Sequence, residues 1–213
     1  ISTEVRNKKL IAVVGSGPAG MSAAIEAAER GSQVTLFEKA HVIGGQLNLA
    51  KMVPGKEEFW GLVDWFEEML KSSGVDVRLG KSVTSADVIG FDDIIVATGV
   101  TPRDLKIKGQ EKNNVLSYAE VLNGSGKVGQ KVAVVGAGGI GFDVSEYLAH
   151  ESRSDFKQIG IPDWMKEWGV GDPEQTAGGL AESGPRPQEA TRQITLMQRK
   201  KQKLGRNLGK TTG

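Results

Sequence analysis

Apolar residues recur along this chain in one arrangement that appears twice. After the polar stretch Ile1 to Lys9, the run Leu10 to Val14 is short, apolar and rich in β-branched residues, which predicts a buried strand. Gly15 to Gly20 interrupts it. Met21 to Glu29 is Ala-rich and helical, closing on the basic Arg30 and a Gly31 stop. Val34 to Phe37 predicts a second strand, completing a strand–loop–helix–strand unit. Beyond a loop from Gly44 to Gly55, residues Phe59, Leu62, Val63, Phe66, Met69 and Leu70 return at helical spacing, with Gly74 as the stop. Val75, Val77 and Leu79 alternate as a strand. Ile94 to Val96 predicts another, running into Ala97-Thr98-Gly99 and Pro102. From Lys131 the order restarts with a strand to Val135, glycines from Gly136 to Gly141, a helix from Phe142 to His150, and a strand from Gln193 to Met197. A polar, Gly- and Pro-rich stretch of about 151–190 separates that helix from that strand. Strand–helix alternation with an internal repeat predicts parallel α/β layers.

Both repeats carry GxGxxG between strand and helix. In the first, Gly15 makes the tight turn, Gly17 lets backbone approach a pyrophosphate, and Gly20 lets helix and strand pack closely. The helix start then offers free N–H groups and a positive dipole end to phosphate. Glu38 ends the second strand, where a carboxylate accepts hydrogen bonds from an adenosine ribose. Strand, loop, helix and acid together make this a strong signal, whereas GxGxxG alone is weak.

In the second repeat the loop is Gly136-Ala137-Gly138-Gly139-Ile140-Gly141. Aligning Val34-Thr35-Leu36-Phe37-Glu38 with Ile194-Thr195-Leu196-Met197-Gln198 puts Gln198 where the first copy has Glu38. A carboxylate there repels a ribose 2′-phosphate. Its loss, followed by Arg199 and Lys200, supplies charge-assisted donors for that phosphate. The expectation is NADPH over NADH. The alternative is a solvated basic run through Lys201 and Lys203. The alignment carries this expectation, because the 151–190 insertion pushes Gln198 far beyond the usual spacing from the glycines.

Composition narrows the chemistry further. The chain has 213 residues, a net charge of +1 and 29 Gly gathered in loops rather than in a collagen-like period. No apolar run approaches the roughly 20 residues of a spanning helix, so no membrane association is expected, and a cytoplasmic location fits. There is no Cys, which excludes a disulfide scaffold, a CxxC redox pair and a Cys-ligated cluster within these residues. Redox chemistry here has to come from a bound cofactor. The basic tail lacks interleaved aromatics, so nucleic acid is not an expected partner. His41 and His150 stand in different repeats with no cluster to complete a metal set. Trp60 and Trp65 read as packing aromatics, Trp164 and Trp168 as a lid, an interdomain contact or loop anchors. Asp143 either faces a domain interface or charges the first turns of its helix.

With Glu38 and GSGPAG in place, Ile43-Gly44-Gly45-Gln46, the Ala97-Thr98-Gly99 strand end and the second GxGxxG after it resemble the flavoproteins with two dinucleotide-binding domains. Finer matches run from Pro54 to Phe59, from Gly139 to Asp143, and through Trp168-Gly169, Gln198-Arg199-Lys200 and Leu208 to Gly213. They are similar to the C-terminal part of the bacterial NADPH-dependent 2,4-dienoyl-CoA reductases, over nearly the whole chain. The resemblance implies an α/β fold of FAD/NAD(P)-binding, Rossmann-like parallel sheets, the second nucleotide domain inserted into the first. Residues 1–127 would form the FAD domain, lacking its final segment. Residues 128–213 would form the NADP domain.

It also implies a fragment. The longer protein would carry an N-terminal barrel with FMN, a 4Fe-4S cluster and the acyl-CoA site. By resemblance, Gly15, Gly17, Pro18, Ala19, Gly20, Glu38, Lys39, Gly45 and Gln46 line FAD. Val83 meets the adenine through its backbone, and Ala97, Thr98 and Gly99 lie near the pyrophosphate. Gly136, Gly138, Gly139, Ile140, Gly141, Arg199 and Lys200 hold NADPH. No side chain need act as acid or base, because the protein supplies geometry and electrostatics. Two alternatives stay open: a related reductase arm, such as a glutamate-synthase-type small subunit or a trimethylamine-dehydrogenase-like chain, and a static ADP-binding module with no redox role. The disulfide-reductase subclass is excluded by the absence of Cys.

Overall fold

Strands β1 (Leu10–Val14), β2 (Gln33–Phe37), β3 (Asp76–Arg78) and β4 (Asp93–Val96) form one parallel sheet in the order β3-β2-β1-β4. The computed structural model describes residues 8–150, 160–206 and 208; the Ile1–Asn7 stretch, the start of the insertion and the Gly209–Gly213 end of the tail motif lie outside them. The two central strands are buried along their lengths, which is why they read as continuous apolar runs rather than alternating ones. Register runs from Leu10 opposite Gln33 to Val14 opposite Phe37. Asp92 fastens the start of β1, its carboxylate accepting the Leu10 N–H at 2.8 Å.

Helix α1 (Pro18–Glu29) packs on β1 and β2, and α3 (Glu58–Ser72) packs on α1. Between them, α2 (Leu47–Ala50) is a single turn in what the pattern left as loop; four residues are too few to show a helical period. Ile11, Val13, Met21, Ala24, Ile25, Val34, Leu36, Phe66, Leu70 and Val75 make the core. Of the periodic residues of α3, Phe66 and Leu70, spaced i and i+4, are buried in it, and Leu62 and Met69 pack against it.

Chain contacts divide the protein into two compact units, residues 1–52 with 58–108, and residues 53–57 with 109–213. Residues 109–127, placed with the first domain by the sequence expectation, group here with the second unit. That unit holds α4 (Tyr118–Leu122), β5 (Lys131–Val135), α5 (Gly139–Ala149), α6 (Ile161–Trp168) and β6 (Gln193–Met197). β5 and β6 pair in parallel from Lys131 opposite Gln193 to Val135 opposite Met197. α5 covers them and α4 packs on α5. Helix α4 is set by a capping box. The Ser117 hydroxyl accepts the Glu120 N–H at 3.2 Å, and the Glu120 carboxylate accepts the Ser117 N–H at 2.7 Å. Within the insertion, Pro162 opens α6 and Gly169, at φ +67°, closes it.

Candidate dinucleotide-binding site

The first glycine loop is held from three directions. Gly15 leaves β1 at φ +106° and donates its N–H to the Phe37 carbonyl at 2.8 Å. A Cβ at Gly15 would stand 2.3 Å from the Ala97 carbonyl oxygen, and one at Gly20 would stand 1.8 Å from the Gly15 carbonyl oxygen. Both positions therefore exclude any side chain. Gly17 differs: a Cβ there would meet nothing within 4 Å. No contact inside the protein demands glycine at that position, so the space it leaves fits the close approach of a ligand, as a pyrophosphate requires. Pro18 stands in the first turn of α1 and no side chain caps that helix, which leaves its first N–H groups for an anion.

Around this loop the structure gathers most of the residues expected to line FAD. Ala97 donates its N–H to the Val14 carbonyl at 2.8 Å, bringing Ala97-Thr98-Gly99 against Gly15. Gly45, at φ +52°, approaches so closely that a Cβ on it would stand 3.1 Å from the Gly17 Cα. Gly44 donates to the Ser16 carbonyl at 2.9 Å, and the Asn48 amide fixes this corner by donating to the Ile43 carbonyl at 2.7 Å. Gln46 starts α2, and Ala19 and Lys39 are exposed. Val83 is half-buried in the segment after β3, where Lys81 donates to the Glu38 carbonyl at 2.8 Å.

Glu38 is fixed by the protein itself. One carboxylate oxygen accepts both the Ser16 N–H and the Ser16 hydroxyl at 2.8 Å, and the other accepts the Ala40 N–H at 2.9 Å. Burial pushes this carboxyl up, but the Ala40 and Ser16 N–H groups, the Ser16 hydroxyl and the Lys39 charge outweigh it and hold it below the ordinary value. Ser16, Ala40 and Asn48 were absent from the sequence-based set. Ser16 was legible, since it occupies the second position of the motif facing an acid in register.

The second loop repeats the geometry. Gly136, at φ +123°, donates to the Met197 carbonyl at 2.9 Å, as Gly15 does to Phe37. A Cβ at Gly141 would stand 1.8 Å from the Gly136 oxygen, whereas Gly138 and Gly139 face open space. Phe37 and Met197 are thus equivalent, and Gln198 takes the place of Glu38. Its amide donates to the Lys200 carbonyl at 2.9 Å and to the Gln202 carbonyl, curling the segment that carries Arg199 and Lys200. Both cations are exposed, as is Ile140.

Other singled-out residues find local roles. Asp143 pairs with Lys56 at 2.7 Å within the second unit. The Trp60 indole donates to the Lys51 carbonyl at 3.0 Å while the Lys51 ammonium sits 3.9 Å over its ring. Trp65 packs edge-on to Phe66, and Trp164 and Trp168 lie 6.3 Å apart on α6. His41 rests beside Gly80, and His150 lies 2.9 Å from the Glu146 carbonyl. Among the described residues, no group of three or more His, Cys, Asp or Glu could hold a metal ion, and no helix is long and apolar enough to cross a membrane.

Parallel sheets with a glycine cradle at the end of each first strand define an FAD/NAD(P)-binding, Rossmann-like chain. Residues 9–210 match the family model described as pyridine nucleotide-disulphide oxidoreductase, and the chain belongs to that family. It is 42% identical over 152 residues to an NADH oxidase of Thermoanaerobacter brockii, covering 68% of this chain and 23% of that protein. It is 35% identical over 164 residues to a cinnamate reductase of Clostridium sporogenes, covering 72% of this chain and 24% of that protein. A 2-naphthoyl-CoA reductase complex shares the fold at a TM-score of 0.66, with 23% identity over 92% of this chain and 34% of the other. The chain thus spans about a quarter of the length of these curated relatives. The disulphide of the family description has no counterpart in these 213 residues, which contain no Cys.

Proposed function

We propose that this chain is the electron-entry part of a longer flavoprotein reductase, binding FAD at the first cradle and NADPH at the second. The observation that carries it is the duplicated cradle with unequal ends, Glu38 held by Ser16 in one copy and Gln198 followed by Arg199 and Lys200 in the other. Glu38 suits an unphosphorylated ribose, because its carboxylate is charged and fixed with acceptor capacity to spare. The second copy has no carboxylate and two cations, which suits a 2′-phosphate. FAD, when bound, supplies a two-electron acceptor for the hydride of NADPH. The protein's part is to bind and orient, so no side chain of this chain acts as acid or base. Similarity to the bacterial 2,4-dienoyl-CoA reductases supports a dienoyl thioester as the final acceptor. On this view FMN, the 4Fe-4S cluster and the acyl-CoA site belong to a barrel domain elsewhere in the longer protein.

The test uses the visible spectrum of the longer protein. Flavin bands bleached faster by NADPH than by NADH are expected; a colourless protein that releases ADP on denaturation would leave only a static nucleotide-binding module. Arg199→Ala with Lys200→Ala should raise KM for NADPH by roughly tenfold or more, the loss of charge-assisted bonds to phosphate, and leave KM for NADH nearly unchanged. Equal effects on both coenzymes would remove the 2′-phosphate assignment.

A further inference from the structure

The two copies of the nucleotide cradle differ at two positions that touch each other in the first copy. Ser16 is fully buried and spends both of its donors on one oxygen of Glu38, N–H and hydroxyl each at 2.8 Å. The Ala40 N–H holds the other oxygen at 2.9 Å. Three donors on two oxygens leave the carboxylate one orientation and still leave about one acceptor position, on the oxygen held by Ala40, for a ribose hydroxyl, since an ionised carboxylate accepts about four hydrogen bonds. In the second copy Ala137 stands at the Ser16 position and has no hydroxyl, and Gln198 stands at the Glu38 position. Its amide is turned instead to the Lys200 and Gln202 carbonyls. The hydroxyl and the carboxylate are therefore present together or missing together.

We infer that Ser16 is a positioning residue for nucleotide selection at the first cradle, locking the Glu38 carboxylate in the one orientation that accepts from a ribose hydroxyl. The lock extends inward, because the Ser16 carbonyl accepts the Gly44 N–H at 2.9 Å, so the residue that aims Glu38 also seats the Gly44–Gly45 corner against Gly17. Fixing an acceptor before the ligand arrives lowers the cost of ordering it on binding. This inference rests on the proposal that the first cradle binds an adenosine nucleotide.

The experiment measures binding of ADP and of 2′,3′-dideoxy-ADP to the chain by calorimetry. The wild-type protein should prefer ADP by tenfold or more, the worth of hydrogen bonds to a charged group. Glu38→Gln should abolish that preference. Ser16→Ala should cut it by roughly tenfold while leaving dideoxy-ADP binding unchanged, and should add nothing in the Glu38→Gln background. A merely structural Ser16 would weaken both ligands alike, and that result overturns the inference. So does full ADP preference in Ser16→Ala alongside its loss in Glu38→Gln, in which case the nucleotide assignment survives. No preference in the wild type removes both. Should Ser16→Ala fail to fold, the lock is built into the other copy. Gln198→Glu with Ala137→Ser should shift second-site preference from NADPH toward NADH several-fold further than Gln198→Glu alone, and an equal shift overturns the inference.

Discussion

Single atoms decide which glycines matter and why. Gly17 and Gly20 belong to one motif, yet a Cβ at Gly20 collides with the Gly15 carbonyl at 1.8 Å and a Cβ at Gly17 meets nothing within 4 Å. The two should therefore fail differently. Gly20→Ala is expected to lower Tm sharply, because the obstacle is backbone that cannot rotate away. Gly17→Ala should leave Tm within a few degrees, since its φ of −70° suits any residue, and yet weaken FAD binding by about an order of magnitude or more through lost approach to the pyrophosphate. Thermal melts and flavin titration separate the outcomes. Equal Tm losses would show that Gly17 also serves internal packing. Motif spacing named all three glycines and their separate tasks, and the distances give those tasks their physical cause.

Short elements here owe their ends to carboxylates, and this makes them acid-sensitive. Asp87 caps the 3-10 turn Ser85–Val88, accepting the Thr84 N–H at 2.8 Å, and pairs with Lys81. The bonds from Lys81 and Thr84 hold its carboxyl far below the ordinary value. The N–H and hydroxyl of Ser117 hold Glu120 low in the same way at α4. A carboxyl lowered in the folded state binds its proton more readily when unfolded. Its contribution is complete above the ordinary carboxylate pKa of about 4 and disappears as pH falls below that. Stability should thus be flat from pH 7 to about 5 and decline below about 4. Asp87→Asn and Glu120→Gln should flatten the decline, as followed by denaturant midpoints across pH; an unchanged slope would refute the assignment. The S-x-x-E signature of α4 stood in the sequence as Ser117 and Glu120. Pattern reading passed over it because Tyr118–Leu122 is barely one turn. α6 escaped for a different reason, as its Ile161, Trp164 and Trp168 remain exposed and point to no core.

Across the whole chain the two units are unequally built. The first sheet has four strands and central residues at or near zero exposure, such as Ala12, Val13 and Leu36. The second has two described strands, and Val135 and Met197 remain 66% and 41% exposed. Two-stranded sheets are marginal alone, and local opening follows low apolar burial. Native-state hydrogen exchange should therefore find β1 and β2 protected at the global limit, with β5 and β6 exchanging through smaller openings. Equal protection would mean that the second sheet is stabilised by more than its described contacts.

Much of the local order, though not the short helices α2, α4 and α6, was encoded in the chain itself. The three strands Leu10–Val14, Lys131–Val135 and Gln193–Met197, both glycine loops and the equivalence of Glu38 and Gln198 follow from apolar patterning and repetition, because short apolar runs and glycine-bound turns leave short-range signatures. Partnerships between distant residues left none. That Ala97 closes over Gly15 and that Gly45 meets Gly17 depend on how loops converge at the ends of parallel strands. Close approach in space is a property of the folded backbone, and no spacing along the chain records it.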